Sequence, residues 1–275
     1  MERKLSIITV NRNNAEGLRK TIASVIAQTY GNYEFVIIDG ASTDESLEVI
    51  RKNAGRISYW ISEPDNGTYH AMNKGIKVSA GEYCLFLNSG DYLVDKNVLE
   101  KIFNQKIDAD IISGDVLKVR SNNKFRRVSS PEKVSLHKLC ILSLPHQATF
   151  IRRSLFDEIG YYTESYKIVS DWEFFLKALV IHDKSYQHLD SVVSYFRLGG
   201  ISSSKENFQM ARQESQDCLM RNFPKLEEDL MEYRYFYISN FGQIVNLIKK
   251  KKSLYKIVDK ACGWILSGKK KIVGK

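Results

Sequence analysis

Val36-Ile-Ile-Asp-Gly-Ala-Ser-Thr-Asp44 is the stretch of sequence that decides the fold. A short apolar, β-branched run leads into Asp39 and Gly40 and then into polar residues, which is typical of a buried strand that ends at a sheet edge. Ser42-Thr-Asp-Glu45 fits a capping box for a helix that follows. The stretch therefore predicts a strand, a polar turn and a helix in succession.

The same succession repeats along the first half of the chain. Leu5–Val10, Ile57–Ile61 and Tyr83–Leu87 are predicted as three further buried strands. Apolar residues at helical spacing predict helices at Glu16–Gln28 and Thr68–Val78. This alternation predicts an α/β fold, with a Rossmann-like, mostly parallel central sheet flanked by helices.

The second half of the chain has a more mixed pattern. Two short strands are predicted at Ile111–Gly114 and Val116–Val119, and the polar residues 121–135 predict a mobile loop. From Lys205 onward the pattern is helical. The predicted domains are a globular domain at 1–204, a C-terminal helical extension at 205–248 and a basic amphipathic tail at 249–275.

Composition excludes several classes of protein. With 43% hydrophobic residues in 275, the chain can bury a core. Residues 249–275 carry ten lysines and one acid, which leaves 31 basic and 31 acidic residues elsewhere, so the globular part has no net charge suited to nucleic acid. There is no apolar signal region after Met1 and no run of the ~20 apolar residues that a membrane span needs. We expect a cytoplasmic protein.

The tail has the pattern of a helix that lies on a membrane surface. Apolar residues recur at helical spacing and lysines surround them. Each lysine close to an anionic leaflet contributes roughly 1 kcal/mol to binding. We therefore expect peripheral association with the inner face of the cell membrane; packing of the apolar stripe on the globular domain is the alternative. The stripe consists of Leu254, Ile257, Val258, Ala261, Trp264 and Ile265.

Polar residues follow each of the four predicted strands of the first half, at the point where the strand ends. Ligands of open α/β sheets bind beyond the carboxyl ends of the strands. The sequence therefore predicts a binding site at this edge, although turn chemistry alone accounts for any single loop. The four loops are Asn11–Asn14, Asp39–Asp44, Ser62–Gly67 and Asn88–Asp91.

Neither of two common phosphate-binding motifs is present. No GxGxxG follows the first strand and no GxxxxGK[ST] occurs, which disfavours a dinucleotide-dependent dehydrogenase and a P-loop NTPase. A diphosphate bound here needs another counter-charge. A divalent metal on hard oxygen ligands is the natural candidate.

Five motifs in this order resemble the family 2 glycosyltransferases of the GT-A fold, over about residues 4 to 200, and in particular the bacterial branch that builds surface polysaccharides. The resemblance implies an inverting hexosyltransferase. Its donor would be a UDP-sugar, and its acceptor a hydroxyl of a lipid-linked oligosaccharide in O-antigen or capsule assembly. The motifs are Ser6–Asn13, Val36–Asp44, Tyr69–Gly75, Phe86–Asp91 and Ser170–Leu176.

The resemblance also implies a donor pocket. Asp39 would hydrogen-bond the nucleotide base, and Thr9 and Asn11 would line the same pocket. Asp65 and Asn73 would lie close to the bound donor.

The metal motif departs from the family pattern. Asn88-Ser-Gly-Asp91 takes the place of the family's Asp-x-Asp motif, and only Asp91 is a carboxylate. Asp91 is expected to hold Mn²⁺ or Mg²⁺, and Asn88 to contact the ribose directly or through water. With fewer carboxylates, the metal ligand set stays open.

Asp171 is the candidate general base, because an inverting transfer needs a carboxylate that takes the proton of the attacking hydroxyl. Its predicted position at a helix N-terminus favours the ionised form; helix capping alone is the other interpretation. Glu173 is the second candidate base, and Trp172 would form a floor for a sugar ring. His146 would contact the metal, the diphosphate or the acceptor.

Two other functions stay open on the sequence. A nucleotidyltransferase also combines an α/β fold with metal and diphosphate chemistry, but Asn11–Asn14 lacks the glycines of its phosphate loop. A binding protein that kept the fold and lost catalysis is the second, because the Asn88–Asp91 motif is poor in carboxylates.

Overall fold

The computed structural model describes residues 4–119, 125–197, 206–250, 254–260 and 262. The chain divides into two compact units, Met1–Cys218 and Leu219–Lys275. The first unit contains the sheet and every predicted site residue. The domain boundaries drawn from the sequence stay a prediction.

A single mixed sheet forms the centre of the first unit. Its described strands are β1 (Leu5–Asn11), β2 (Tyr33–Asp39), β3 (Tyr59–Ser62), β4 (Tyr83–Phe86), β5 (Tyr92–Leu93), β6 (Ile111–Val119), β7 (Phe125–Val128), β8 (Thr149–Arg152) and β9 (Tyr186–Arg197). Their order is β3-β2-β1-β4-β8-β6-β9-β5, with β7 paired to β6. The first four strands in this order are parallel, and β8 runs antiparallel to both of its neighbours.

Helices cover the sheet and continue into the C-terminal part of the chain. α1 packs on the sheet through Leu18, Ile22 and Val25, all buried and spaced along one helical face. The helices are α1 (Ala15–Ile26), α2 (Ser46–Lys52), α3 (Thr68–Val78), α4 (Val98–Phe103), α5 (Leu136–Ile141), α6 (Ser154–Ile159), α7 (Ser170–Leu176, continued by a π-helical segment at Lys177–Ile181), α8 (Glu206–Asn222), α9 (Glu227–Ile238) and α10 (Asn240–Lys250).

The core explains why the first half was predictable from sequence. β1 is buried along its whole length and β2 along all but its first residue, as expected of inner parallel strands covered on both faces. Their continuous apolar runs are therefore visible in the sequence. The predicted α/β fold with a mostly parallel sheet is confirmed.

The predicted mobile loop at residues 121–135 was wrong in part. Phe125–Val128 forms β7 and pairs antiparallel with the end of β6, whereas residues 120–124 lie outside the described part of the chain. β7 is polar because it is exposed, and Arg127 forms an ion pair with the buried Asp115 of β6 at 2.5 Å. A polar edge strand has no apolar run to reveal it.

A register shift explains a second difference. β6 is one strand where the sequence predicted two, and its pairing with β9 shifts on both sides of Asp115. The predicted break at Gly114 and Asp115 is therefore an irregularity within one strand.

The second unit is helical in its described residues. α9 and α10 are followed by a helical segment at 254–260, the described part of the predicted tail stripe, whose members Ala261, Trp264 and Ile265 lie outside the described residues. Among the described helices, none is both long and apolar enough to cross a membrane.

Candidate active site

Three strand ends bring polar side chains to one edge of the sheet. Asn11 and Asp39, the last residues of β1 and β2, are paired in register. The Ser89 amide donates to the carbonyl of Val10 at 3.1 Å, which places the turn after β4 beside them. The predicted convergence of strand ends is therefore present for these loops.

Asp39 is the most heavily bonded side chain of this edge, and it is fully buried. Its Oδ1 accepts from Asn11 Nδ2 at 2.7 Å and from the Ser42 hydroxyl at 2.6 Å. Its Oδ2 accepts from the Ser42 amide at 2.9 Å and from the Ser62 hydroxyl at 2.6 Å. Four donors therefore hold one carboxylate, and a ligand reaches it only by displacing one of them.

Asn11 carries a free acceptor beside this carboxylate. Because Asp39 only accepts in its ionised form, the Asn11 amide must turn its Nδ2 towards it. The Oδ1 of Asn11 is then buried without a hydrogen-bond partner. A buried acceptor without a partner is costly, so this atom is suited to an N–H or O–H group of a ligand.

Asp65 lies against the turn that follows β2. A Cβ built on Gly40 would stand 2.2 Å from Asp65 Oδ2, so only glycine permits this approach. The Asp65 Oδ1 accepts from the Gly67 amide at 2.9 Å. Asp65 therefore lies beside Gly40, the residue that follows Asp39; its predicted place near the bound donor stays a prediction.

Thr9 and Asn73 are buried in structural contacts. The Thr9 hydroxyl donates to the carbonyl of Leu87 at 2.7 Å, which ties β1 to the residue before Asn88. The Asn73 amide donates from Nδ2 to the carbonyl of Tyr162 and accepts at Oδ1 from the Tyr162 amide. Both side chains have hydrogen-bond partners within the protein, and their predicted place in the donor pocket stays a prediction.

The turn after β4 is shaped by Gly90 and held by Thr21. Gly90 has a φ of +105°, in the region that favours glycine over residues with a side chain. The Thr21 hydroxyl of α1 accepts from the Gly90 amide at 3.0 Å and donates to the carbonyl of Asp91 at 2.7 Å. Asp91 is buried, with 6% of its surface exposed.

Four side chains from four regions of the chain form a connected row at the same edge. Asn88 Nδ2 lies 3.4 Å from His146 Nε2, and His146 Nδ1 lies 3.2 Å from Asp171 Oδ2. Asp171 Oδ1 accepts from the Tyr69 hydroxyl at 3.0 Å. In the neutral imidazole these contacts assign the proton to Nδ1, because Nε2 faces the amide of Asn88 and Nδ1 faces a carboxylate.

The charges of this row shift two pKa values. Burial lowers the pKa of His146, but the hydrogen bond and charge of Asp171 and the charge of Asp91 outweigh it, so the pKa is raised above its usual value. Burial, and then the Asp171 charge, raise the pKa of the Tyr69 hydroxyl well above its ordinary value. Tyr69 therefore remains a donor at neutral pH.

Trp172 and Glu173, the two residues after Asp171, are both buried. The Trp172 indole donates to the carbonyl of Leu139 at 2.7 Å and is 5% exposed. The Glu173 carboxylate accepts from the Thr163 hydroxyl and pairs with Lys177 at 2.9 Å. Both side chains therefore form hydrogen bonds or ion pairs inside the protein, whereas Asp171 contacts His146.

Two oxygen-bearing side chains at the turn are of the kind that would hold a divalent metal, with water and a diphosphate as its other ligands. Asp91 supplies a carboxylate, and the buried Oδ1 of Asn88 has no hydrogen-bond partner. Mg²⁺ usually takes one or two carboxylates and completes its shell with waters and phosphates. The described residues contain no group of three or more His, Cys, Asp or Glu placed to hold a metal without such help.

Sequence reasoning missed three hydroxyl groups that build this edge: Ser42, Ser62 and Thr21. The predicted capping box was wrong, because α2 begins at Ser46 and Glu45 makes no capping hydrogen bond there, while the Ser42 hydroxyl is bound to Asp39. Short hydroxyl side chains are common in turns, so nothing in the sequence distinguished these three.

The family model described as Glycosyl transferase family 2 matches residues 6–170. A PGL/p-HBAD biosynthesis glycosyltransferase of Mycobacterium bovis is 31% identical over 210 residues, covering 72% of this chain and 79% of that protein. An uncharacterized glycosyltransferase of Mycobacterium tuberculosis is 33% identical over 210 residues, covering 74% and 78%.

Solved structures share the fold at low sequence identity. S. aureus TarS 1–349 in complex with UDP-GlcNAc superposes with a TM-score of 0.65 at 20% identity, over 88% of this chain and 75% of that one. The mannosyltransferase PcManGT from Pyrobaculum calidifontis, in complex with GDP-Man and Mn²⁺, gives 0.62 at 16% identity, over 97% and 81%.

The fold and these matches define a glycosyltransferase of the GT-A type. Within that class, the chain belongs to glycosyltransferase family 2.

Proposed function

We propose that the protein transfers a hexosyl group from a UDP-sugar to a hydroxyl of a lipid-linked oligosaccharide, with inversion at the anomeric carbon. The pairing of Asp171 with His146, beside the buried edge of Asn11, Asp39 and Asn88, carries this proposal. His146 links the Asp171 carboxylate to Asn88, and the turn that contains Asn88 lies beside the end of β1.

Asp171 acts as the general base. Its carboxylate takes the proton of the acceptor hydroxyl while that oxygen forms a bond to the anomeric carbon and the bond to the UDP oxygen breaks. A single displacement on the face opposite the leaving group inverts the anomeric centre. The Nδ1–H of His146 and the hydroxyl of Tyr69 hydrogen-bond the two oxygens of Asp171, and they orient the carboxylate.

The donor binds at the edge formed by β1, β2 and β4. Asp39 fixes the surrounding hydroxyl and amide groups, and the Oδ1 of Asn11 accepts a hydrogen bond from the nucleotide. Asp65 and Asn88 flank this position. The choice of UDP as the nucleotide is based on the resemblance to the family. The TarS structure in complex with UDP-GlcNAc agrees with this choice.

Asp91 would hold a divalent metal, Mn²⁺ or Mg²⁺, beside the diphosphate of the donor. When bound, the metal neutralises charge that develops on the departing diphosphate. The PcManGT complex, which contains both GDP-Man and Mn²⁺, supports this assignment by analogy of fold.

The acceptor is reached at the cytoplasmic face of the membrane. α10 exposes Phe241, Ile244 and Leu247, each more than half accessible and spaced along one side of the helix. The chain continues into the run Lys249–Lys252. An exposed apolar stripe next to clustered lysines suits an anionic lipid surface.

Release of UDP from a panel of UDP-sugars, with Mn²⁺, Mg²⁺ or EDTA, tests the proposal. One UDP-sugar should release UDP slowly to water and faster with a lipid-linked acceptor, in a metal-dependent manner. NMR of the product should give the anomeric configuration opposite to that of the donor. Release of pyrophosphate would indicate a nucleotidyltransferase, and UDP binding without any turnover would indicate a binding protein.

A further inference from the structure

Two carboxylates of α8 contact the segment that leads into α7, the helix that carries Asp171. Glu214 and Asp217 are three residues apart and lie on one side of α8. Asp217 accepts from the Tyr166 hydroxyl at 2.6 Å. Glu214 accepts from the backbone amides of Lys167, Ile168 and Val169.

The three amides share a single carboxylate. Glu214 Oε1 accepts from the Lys167 amide at 2.7 Å, and Oε2 accepts from those of Ile168 and Val169 at 3.0 and 3.3 Å. These residues directly precede α7, which starts at Ser170. Hydrogen bonds to a charged acceptor are stronger than neutral ones, so Glu214 fixes the path of the chain as it enters α7.

The same segment is held from its other side by Tyr69. The Tyr69 hydroxyl lies 2.7 Å from the carbonyl oxygen of Ile168 and 3.0 Å from Asp171 Oδ1. Ile168 is thus bound through its amide to Glu214 and through its carbonyl to the tyrosine that contacts Asp171. A shift of this residue moves both the start of α7 and the Tyr69 contact.

We infer that Glu214 is a positioning residue for the transfer reaction, and that it holds Asp171 in place through the backbone of residues 167–169. It lies on α8, in the region that the sequence assigned to a separate extension. This inference rests on the proposed function for its catalytic consequence. The contacts themselves do not depend on the substrate.

The test compares Glu214→Ala and Glu214→Gln with Gln213→Ala, a change at the exposed neighbouring position on α8. Hydrogen exchange by mass spectrometry should show residues 167–169 exchanging about tenfold faster or more in Glu214→Ala, because three charge-assisted bonds are lost. Glu214→Gln keeps one acceptor oxygen and should fall between Glu214→Ala and wild type. Gln213→Ala should match wild type.

Kinetics supply the second arm. In Glu214→Ala, kcat should fall between about tenfold and a hundredfold, the effect of a small displacement of a catalytic group. The UDP dissociation constant and the donor KM should not change, and Glu214→Gln should recover part of kcat. If Glu214 had only a structural role, Glu214→Ala would lower the amount of folded enzyme, and kcat per folded molecule would stay at the wild-type value.

Two results would overturn the inference: unchanged exchange at residues 167–169, or faster exchange with wild-type kcat. If wild-type enzyme turns over no donor, the proposed function fails, and with it the catalytic consequence. The hydrogen-exchange measurement then still decides whether Glu214 holds residues 167–169.

Discussion

His146 Nδ1 lies 3.2 Å from Asp171 Oδ2, and the two side chains are 20% and 15% exposed. The imidazole comes from the segment before β8, and the carboxylate from the start of α7. Neighbouring negative charge favours the protonated imidazole, and the raised pKa of His146 reflects this. The pair therefore couples the proposed base to an imidazole whose pKa is raised.

The pH dependence of stability should reveal this pair. The unfolded-state pKa of a histidine is about 6.5, and that of His146 in the folded protein is higher. Its contribution to stability is therefore complete below pH ~6.5 and is lost as pH rises through the folded-state pKa. The free energy of unfolding, measured by urea titration between pH 6 and 9, should fall less steeply with pH in His146→Gln than in wild type.

His182→Gln is the control for this measurement, because His182 is exposed and its backbone amide donates to the carbonyl of Lys177. It should follow the wild-type slope. A wild-type slope in His146→Gln as well would contradict the pairing.

Asp39→Asn should disrupt the donor edge. An amide in place of the carboxylate turns an NH₂ group towards two of the four donors that now bind Asp39. We expect a loss of about 1–3 kcal/mol in the free energy of unfolding, with weaker UDP binding by calorimetry. Ser62→Ala removes one donor only and should have a smaller effect on both. Equal effects of the two changes would argue against Asp39 as the centre of this network.

Asp91→Asn should weaken the metal dependence of donor binding. In wild type, the UDP affinity should be higher with Mn²⁺ than with EDTA. In Asp91→Asn, the ratio of these two affinities should be smaller by about tenfold or more. Changes to residues that only support a metal ligand already have effects of this size. Asp95→Asn, at an exposed carboxylate four residues further on, is the matched control. If Asp91→Asn keeps the full Mn²⁺ effect, the metal is held elsewhere.

Replacing the apolar stripe of α10 should release the protein from anionic vesicles. Phe241 and Leu247 are 66% and 64% exposed, and burial of each in a bilayer surface contributes about 1.5–3 kcal/mol. The double variant Phe241→Ser, Leu247→Ser should lose sedimentation with vesicles of phosphatidylserine and phosphatidylcholine. Phe208→Ser, an equally exposed phenylalanine on α8, should bind as wild type does. Equal loss in both variants, or in neither, would contradict a membrane role for α10.

The parallel half of the fold was predictable because its signals are local. β1 and β2 are buried apolar runs, and α3 was predicted at Thr68–Val78, where the structure places it. β7 was not predicted, because an exposed edge strand carries no hydrophobic periodicity. The antiparallel insertion of β8 between β4 and β6 is a long-range pairing that leaves no mark in the sequence of any one strand.

The candidate site was predictable only as a set of residue types at strand ends. The sequence indicated Asp171 and His146 separately, and the structure supplies their contact across 25 positions. It also shows that the Asp39 carboxylate accepts hydrogen bonds from two serine hydroxyls, and that Thr9 and Asn73 donate to the carbonyls of Leu87 and Tyr162. Such hydrogen-bond partners depend on three-dimensional placement, which a motif does not encode.

The most direct test of the account is the turnover of Asp171→Asn. Asparagine keeps the shape of the side chain and cannot take a proton from the acceptor, so kcat should fall by about 10²–10⁴-fold while the UDP dissociation constant stays at the wild-type value. Asp183→Asn, at an exposed aspartate beyond the same helical segment, should retain wild-type turnover. Activity of Asp171→Asn within a few-fold of wild type would show that another group accepts the proton, and the central claim would fail.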